Sequence, residues 1–222
     1  MMRTVIFDLD GTLADTAADL VAAANGYFTA EGLGAPLDPL RDARTAHRGG
    51  KAMLRLGFER TRGAVDEARV AAAYPELLAI YSDALCRETQ LYPGAAEAVA
   101  ALRAEGVATG ICTNKPVALA DRLLVTLGVR DLFGSLVGQG TLAVVKPDPA
   151  PLMLAIAEAG GTPARALLVG DTETDRKTAA AAGVPSVLVT FGPEGHSVAD
   201  LAPEAVIGHF RDLPDLVRAL LP

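Results

Sequence analysis

A short β-branched run that ends in Asp-x-Asp-Gly-Thr constrains this chain more than any other feature. Thr4-Val5-Ile6-Phe7 carries no polar relief and reads as a buried strand of a parallel sheet. Asp8-Leu9-Asp10-Gly11-Thr12 follows at once, so two carboxylates leave the strand's carboxyl end beside a glycine turn. Open α/β sheets bind ligands outside the carboxyl ends of their strands. One carboxylate placed there can attack an electrophile, while the other moves a proton or helps hold a metal.

The rest of the chain supplies such a sheet. From Leu91-Tyr92-Pro93-Gly94 onward, strand and helix patterns alternate. Helices are predicted over 95–105, 116–127, 149–159, 174–182 and 213–221, and strands over 108–113, 135–138, 166–170, 186–190 and 205–207. This alternation predicts right-handed βαβ units, hence an α/β fold with a doubly wound, mostly parallel sheet. Residues 14–90 differ, because no strand-like run occurs among them. Asp15 or Thr16 is placed to cap a helix through Leu20, Ala23 and Phe28. A second helix is predicted over 51–60 and a third over 66–88, which Pro75 should break or kink. The expected organisation is a catalytic core of residues 1–13 and 91–222, with an α-helical cap of residues 14–90 inserted after the first motif.

Composition bounds the function classes. A chain of 222 residues has room for one core and a small second domain, and half its residues are hydrophobic. No run reaches the roughly 18 apolar residues of a membrane span. Too few residues precede Asp8 for a secretory signal, so a cytoplasmic location is expected. The net charge of −7 argues against a nucleic-acid partner. Cys86 and Cys112 can pair in principle, but a cytoplasmic chain with two cysteines more often keeps free thiols. Cys112 lies in an apolar run and reads as core. No Cys/His cluster has zinc spacing.

Further polar groups fall at the predicted strand ends. Thr113 and Asn114 follow one strand, Lys146 precedes Pro147-Asp148-Pro149, Asp171 ends another strand, and Asp175 stands at a helix start. Parallel strands would gather all of these with Asp8 and Asp10 on one edge. Carboxylates converging there repel one another, and a divalent cation resolves that cost; oxygen ligands suit Mg2+. Lys146 adds positive charge, and Thr113 and Asn114 can donate hydrogen bonds to phosphoryl oxygens. Asp175 also reads as an N-cap, and the two roles are compatible. In the cap, His47-Arg48-Gly49-Gly50-Lys51 is either a solvated loop or a basic loop for a second anionic group of the substrate.

Taken in order, these motifs resemble those of the haloacid dehalogenase superfamily. Tyr92-Pro93-Gly94, Thr113-Asn114-Lys115-Pro116, Lys146-Pro147-Asp148-Pro149-Ala150-Pro151 and Val169-Gly170-Asp171 are similar to its phosphoglycolate phosphatase group. The resemblance implies that Asp8 is a nucleophile forming an aspartyl-phosphate. It implies that Asp10 protonates the leaving alcohol and then activates water. Asp8, the backbone carbonyl of Asp10 and Asp171 would hold Mg2+, with Asp175 in support. Thr113 and Lys146 would bind the phosphoryl group; Asn114, as a further donor to it, and Arg48, as a substrate contact, are expected from the residues themselves, since the phosphoglycolate phosphatases usually carry a glycine where Arg48 stands. Because it acts as an acid, Asp10 is expected to hold its proton more tightly than an ordinary aspartate.

The implied function is hydrolysis of a small phosphorylated metabolite, 2-phosphoglycolate first among candidates. Sugar phosphates, nucleotides or a phosphomutase reaction remain alternatives, and the sequence leaves monomer and homodimer open. A phosphorylation-switched receiver domain fits less well, since such domains are shorter and lack a cap. A dehalogenase would not need Asp10.

Overall fold

The central strand needs only four residues because it is paired on both edges. In the computed structural model, which describes residues 2–221, β1 (Thr4–Phe7) is wholly buried. β2 (Ala14–Asp15) follows it, then α1 (Ala17–Ala30), α2 (Ala43–His47), α3 (Gly50–Arg62), α4 (Glu67–Asp83) and β3 (Gln90–Leu91). The remaining elements are α5 (Ala95–Ala104), β4 (Ala108–Pro116), α6 (Val117–Thr126), β5 (Ser135–Gln139), α7 (Ala150–Glu158), β6 (Ala166–Gly170), α8 (Glu173–Ala182), β7 (Ser186–Val189), β8 (Ala205–Ile207) and α9 (Leu213–Leu220). The chain divides into two compact units, one running up to Ala14 and from Leu91 onward, the other Asp15–Gln90.

The first unit holds a six-stranded sheet in the order β5-β4-β1-β6-β7-β8. Every ladder in it is parallel. The order reverses direction around β1, because the chain builds outward to β5 and then crosses over to β6. Ligands bind at such a reversal in doubly wound sheets. α7 and α8 pack on one face, where Ile6, Cys112, Val137, Leu152, Ile156 and Leu168 form a closed apolar cluster. α5 and α6 contact β4, and α9 packs on α5. Strands buried on both faces read as unbroken apolar runs, which is why their positions are legible from sequence.

The second unit is built on α1, α3 and α4, which contact one another in pairs. Phe28 and Phe58 meet edge-on with ring centroids 5.2 Å apart. Asp19, buried in the first turn of α1, accepts hydrogen bonds from the backbone N–H groups of Arg87, Glu88 and Thr89 at 2.9–3.0 Å. The Thr89 hydroxyl donates a further bond of 2.6 Å to the same carboxylate. The segment after α4 is thereby fastened to the start of α1.

Two expectations need correction here, and one short helix is added. Pro75 does not break its helix: α4 runs through it without interruption. Pro75 and Ala71, whose carbonyl loses its helical donor, both lie on the exposed face, so water can take that donor's place. The stretch 14–90 is not free of strand, since β2 and β3 pair with each other at its two ends. Two residues are too few to leave a period of two in a sequence. The five-residue helix α2 was not anticipated either, for the same reason of length. Among the described residues, no helix is long and apolar enough to cross a membrane.

Candidate active site

Register assembles the site. Phe7 is level with Ile111 on β4 and with Val169 on β6. Asp8 therefore emerges beside Cys112 and Gly170, with Thr113 and Asp171 one residue further on. The Asp8 backbone N–H still donates to Val169 O at 2.9 Å, so the nucleophile candidate is fixed by the sheet rather than carried on a mobile loop. Gly11, at φ +82°, then turns the chain sharply, and the Gly11 N–H donates to Ala14 O.

Two lysines and four aspartates meet at this edge. Lys146 Nζ lies 3.1 Å from Asp8 Oδ1 and donates a 2.6 Å hydrogen bond to Asp175 Oδ1. Lys115 Nζ donates to both oxygens of Asp10, at 2.9 and 3.3 Å. The Thr12 hydroxyl donates to Asp171 Oδ1 at 2.7 Å. Asp175 also closes a capping box at the start of α8, its Oδ2 accepting from the Thr172 hydroxyl at 2.6 Å and from the Thr172 N–H at 3.1 Å. Thr172, not Asp175, is the N-cap, and Asp175 stands three residues inside. Gly170 is required by this packing: a Cβ there would lie 2.4 Å from both Cβ and Cγ of Asp175.

Asn114 has a different place from the one expected. Its carboxamide clamps the backbone of Lys146, accepting from the Lys146 N–H and donating to the Lys146 carbonyl, each at 2.9 Å. The oxygen and one amide hydrogen are thus committed to fixing the lysine, not to a ligand. Thr113 is buried beside it, and its hydroxyl oxygen accepts the Lys115 N–H at 3.2 Å. Arg48 lies in the other unit, exposed, directly after α2.

The electrostatics follow from burial and charge count. The Asp8 carboxyl is pushed up to about 7, chiefly by burial against the opposing pull of Lys146, with Asp175, Asp171 and Asp10 adding to the rise. Burial alone would lower the Lys146 pKa, but Asp175 and Asp8 outweigh it and hold the ammonium firmly protonated. With all four aspartates ionised, two lysines leave an excess of two negative charges among these residues, and the raised Asp8 pKa is the response to that excess and to burial. Asp8, Asp171 and Asp175, all buried, each present an oxygen within 4.8 Å of the others. Both Asp175 oxygens already serve Lys146 and Thr172. Asp8 and Asp171 are therefore the carboxylates suited to a cation. They are hard oxygens with a charge deficit matching a divalent ion, which fits Mg2+.

Sequence reasoning passed over two members of this set, Thr12 and Lys115. The signal for Lys115 was present: Thr113 and Lys115 are two residues apart at a strand end and share its inward side, whereas Asn114 between them is exposed.

Comparison with known proteins agrees with this geometry. The model of the haloacid dehalogenase-like hydrolases matches residues 2–183. A phosphoglycolate phosphatase of Mesorhizobium japonicum is 40% identical over 210 residues, covering 93% of this chain and 90% of that protein. One from Caulobacter vibrioides is 35% identical over 98% of this chain and 92% of its own. A crystal structure from Haemophilus somnus, described as a predicted phosphoglycolate phosphatase, superposes with a TM-score of 0.85 at 25% identity, over 97% of both chains. Strand order, the Asp8–Lys146–Asp171 edge and the extent of these matches lead to one conclusion: the chain belongs to the haloacid dehalogenase-like hydrolases.

Proposed function

We propose that this protein is a Mg2+-dependent phosphomonoesterase acting on a small phosphorylated metabolite, with 2-phosphoglycolate the leading candidate. The observation that carries the reading is the buried ion-paired row Asp8–Lys146–Asp175 at the carboxyl edge of β1, β4 and β6. It combines a sheet-anchored carboxylate with a cation held beside it by a second carboxylate. Phosphoryl transfer needs that kind of positioning and charge neutralisation more than covalent invention. The phosphoglycolate phosphatases among its relatives support the choice of substrate.

In this reading an Asp8 oxygen bonds to phosphorus as the ester P–O bond breaks. Asp10 gives its proton to the departing alcohol oxygen. Asp10 then takes a proton from water, whose oxygen attacks phosphorus, releasing inorganic phosphate and restoring Asp8. Lys146 and Thr113 hold phosphoryl oxygens throughout. Mg2+ bound by Asp8, Asp171 and the Asp10 carbonyl would neutralise charge on Asp8 and on the phosphoryl group. Lys115 would position Asp10, and Thr12 would aim Asp171. The unit Asp15–Gln90 would serve as the cap that selects the leaving group, with Arg48 as its candidate contact. A cytoplasmic location fits an enzyme of soluble metabolites.

Phosphate release from a panel of monoesters, with and without Mg2+, tests this reading. The expected result is Mg2+-dependent release with a preference for 2-phosphoglycolate of about tenfold or more in kcat/KM, roughly 1.4 kcal/mol. Activity spread over sugar phosphates or nucleotides would retain the chemistry and discard the substrate. No release from any ester would favour a phosphomutase.

A further inference from the structure

We propose that Lys115 recognises a carboxylate on the leaving group and so sets the substrate class from within the core. This rests on the reading above, in which Asp10 exchanges its proton with the leaving oxygen. Asp10 then marks the leaving-group side of the site, and Lys115 Nζ stands 2.9 Å from its Oδ1. The other lysine of the site cannot share this task, because Lys146 lies between Asp8 and Asp175 on the phosphoryl side. The Lys115 side chain is only 3% exposed. A buried ammonium is costly without an anionic partner, and it recognises one strongly when water is excluded.

In 2-phosphoglycolate the carboxylate is one methylene from the bridging oxygen. A leaving group seated against Asp10 therefore brings a second carboxylate within reach of the same ammonium. Lys115 then divides its hydrogen bonds between the substrate carboxylate and Asp10, and Asp10 turns free to meet the bridging oxygen. A substrate without the carboxylate offers Lys115 nothing in exchange, and Asp10 stays held in its resting pair. Charge exchange at one lysine thus couples recognition of the leaving group to release of the proton-transfer residue.

The test compares 2-phosphoglycolate with ethyl phosphate, which carries a methyl group in place of the carboxylate. Wild-type protein, Lys115→Gln and Lys115→Arg are assayed on both esters with saturating Mg2+, and glycolate is tested as an inhibitor. The wild type is expected to prefer 2-phosphoglycolate. Lys115→Gln should lower the preference ratio about thirtyfold or more, the scale of one lost hydrogen bond to a charged group, and should weaken glycolate inhibition in parallel. Lys115→Arg should restore much of both, and it keeps the assignment testable if the glutamine variant fails to fold. An equal loss on both esters, with the ratio unchanged, would overturn the assignment and leave Lys115 acting through Asp10 alone. A wild type that does not discriminate would instead overturn the substrate reading, and this inference with it.

Discussion

Asp8 sits where three other aspartates converge, and the ammonium beside it is already shared with Asp175. Burial and the neighbouring carboxylates oppose the ionisation of Asp8, and Lys146 favours it, so the charge on this one group decides whether it can attack. Asp8→Asn changes one oxygen to nitrogen and keeps the side chain's size. The amide has no charge to attack phosphorus, so phosphate release should fall by about a thousandfold or more, roughly 4 kcal/mol. Steady-state assays on the variant, with circular dichroism confirming the fold, check this; turnover near that of the wild type would refute the covalent mechanism. Cysteine reactivity is set by position in the same way. Both thiols are free. Burial in the sheet core pushes the Cys112 thiol up to about 12, so almost no thiolate exists at neutral pH. Cys86 is partly exposed. A thiol reagent should therefore label one cysteine in the native protein and two after denaturation, with peptide mapping placing the first label on Cys86.

Helices and strands here differ in how openly the sequence declares them. β6 and β8 coincide with their predicted spans: β6 is a wholly buried apolar run closed by Gly170, and β8, at the sheet edge, is a short apolar run between Pro203-Glu204 and Gly208. α8 is announced by the capping sequence before it and by Gly183 after it. Less legible are features that depend on tertiary partners. Nothing local distinguishes Asp19 from a surface aspartate on a helix, yet it receives three backbone N–H groups from a segment about seventy residues away. The ion pair between Lys115 and Asp10 likewise exists only because β1 and β4 lie side by side. In the site, residues at strand ends could be read from register alone, whereas partners chosen by side-chain reach, such as Asn114 for the Lys146 backbone, could not. Asp19 gives a direct measure of that tertiary contribution. Asp19→Ala leaves three N–H groups without their acceptor, that of Thr89 buried and those of Arg87 and Glu88 partly so; a buried one costs about 1–3 kcal/mol when unpartnered, and less where water reaches it. The variant should lose roughly 2–4 kcal/mol of stability in urea unfolding and expose the 84–89 segment to proteolysis. A loss below about 0.5 kcal/mol, the range of an ordinary surface substitution, would mean that the carboxylate is not the clasp.

For the molecule as a whole, the charge excess at the sheet edge links stability, pH and metal. In the metal-free protein Asp8 holds its proton up to about pH 7, whereas the unfolded chain releases it near 4. Between those values the folded state binds more protons than the unfolded state. Stability from this group is therefore fully present below about pH 4 and is lost as pH rises through about 7. Binding of the proposed Mg2+ requires the deprotonated carboxylate and so competes with that proton. Its apparent affinity should fall by up to tenfold for each pH unit below about 7 and level off above it. At a fixed Mg2+ concentration the added stability then shrinks by about 1.4 kcal/mol per unit of acidification. For a chain of this size that corresponds to roughly 3–6 °C in melting temperature per pH unit. Calorimetry at pH 5.5, 6.5, 7.5 and 8.5, with and without Mg2+, should show the metal increment growing to pH 7.5 and changing little beyond. In Asp8→Asn, which has no proton to lose, the increment should be smaller and flat across the series. An increment independent of pH in the wild type would remove Asp8 from the metal's ligands and leave Asp171 as the anchoring carboxylate.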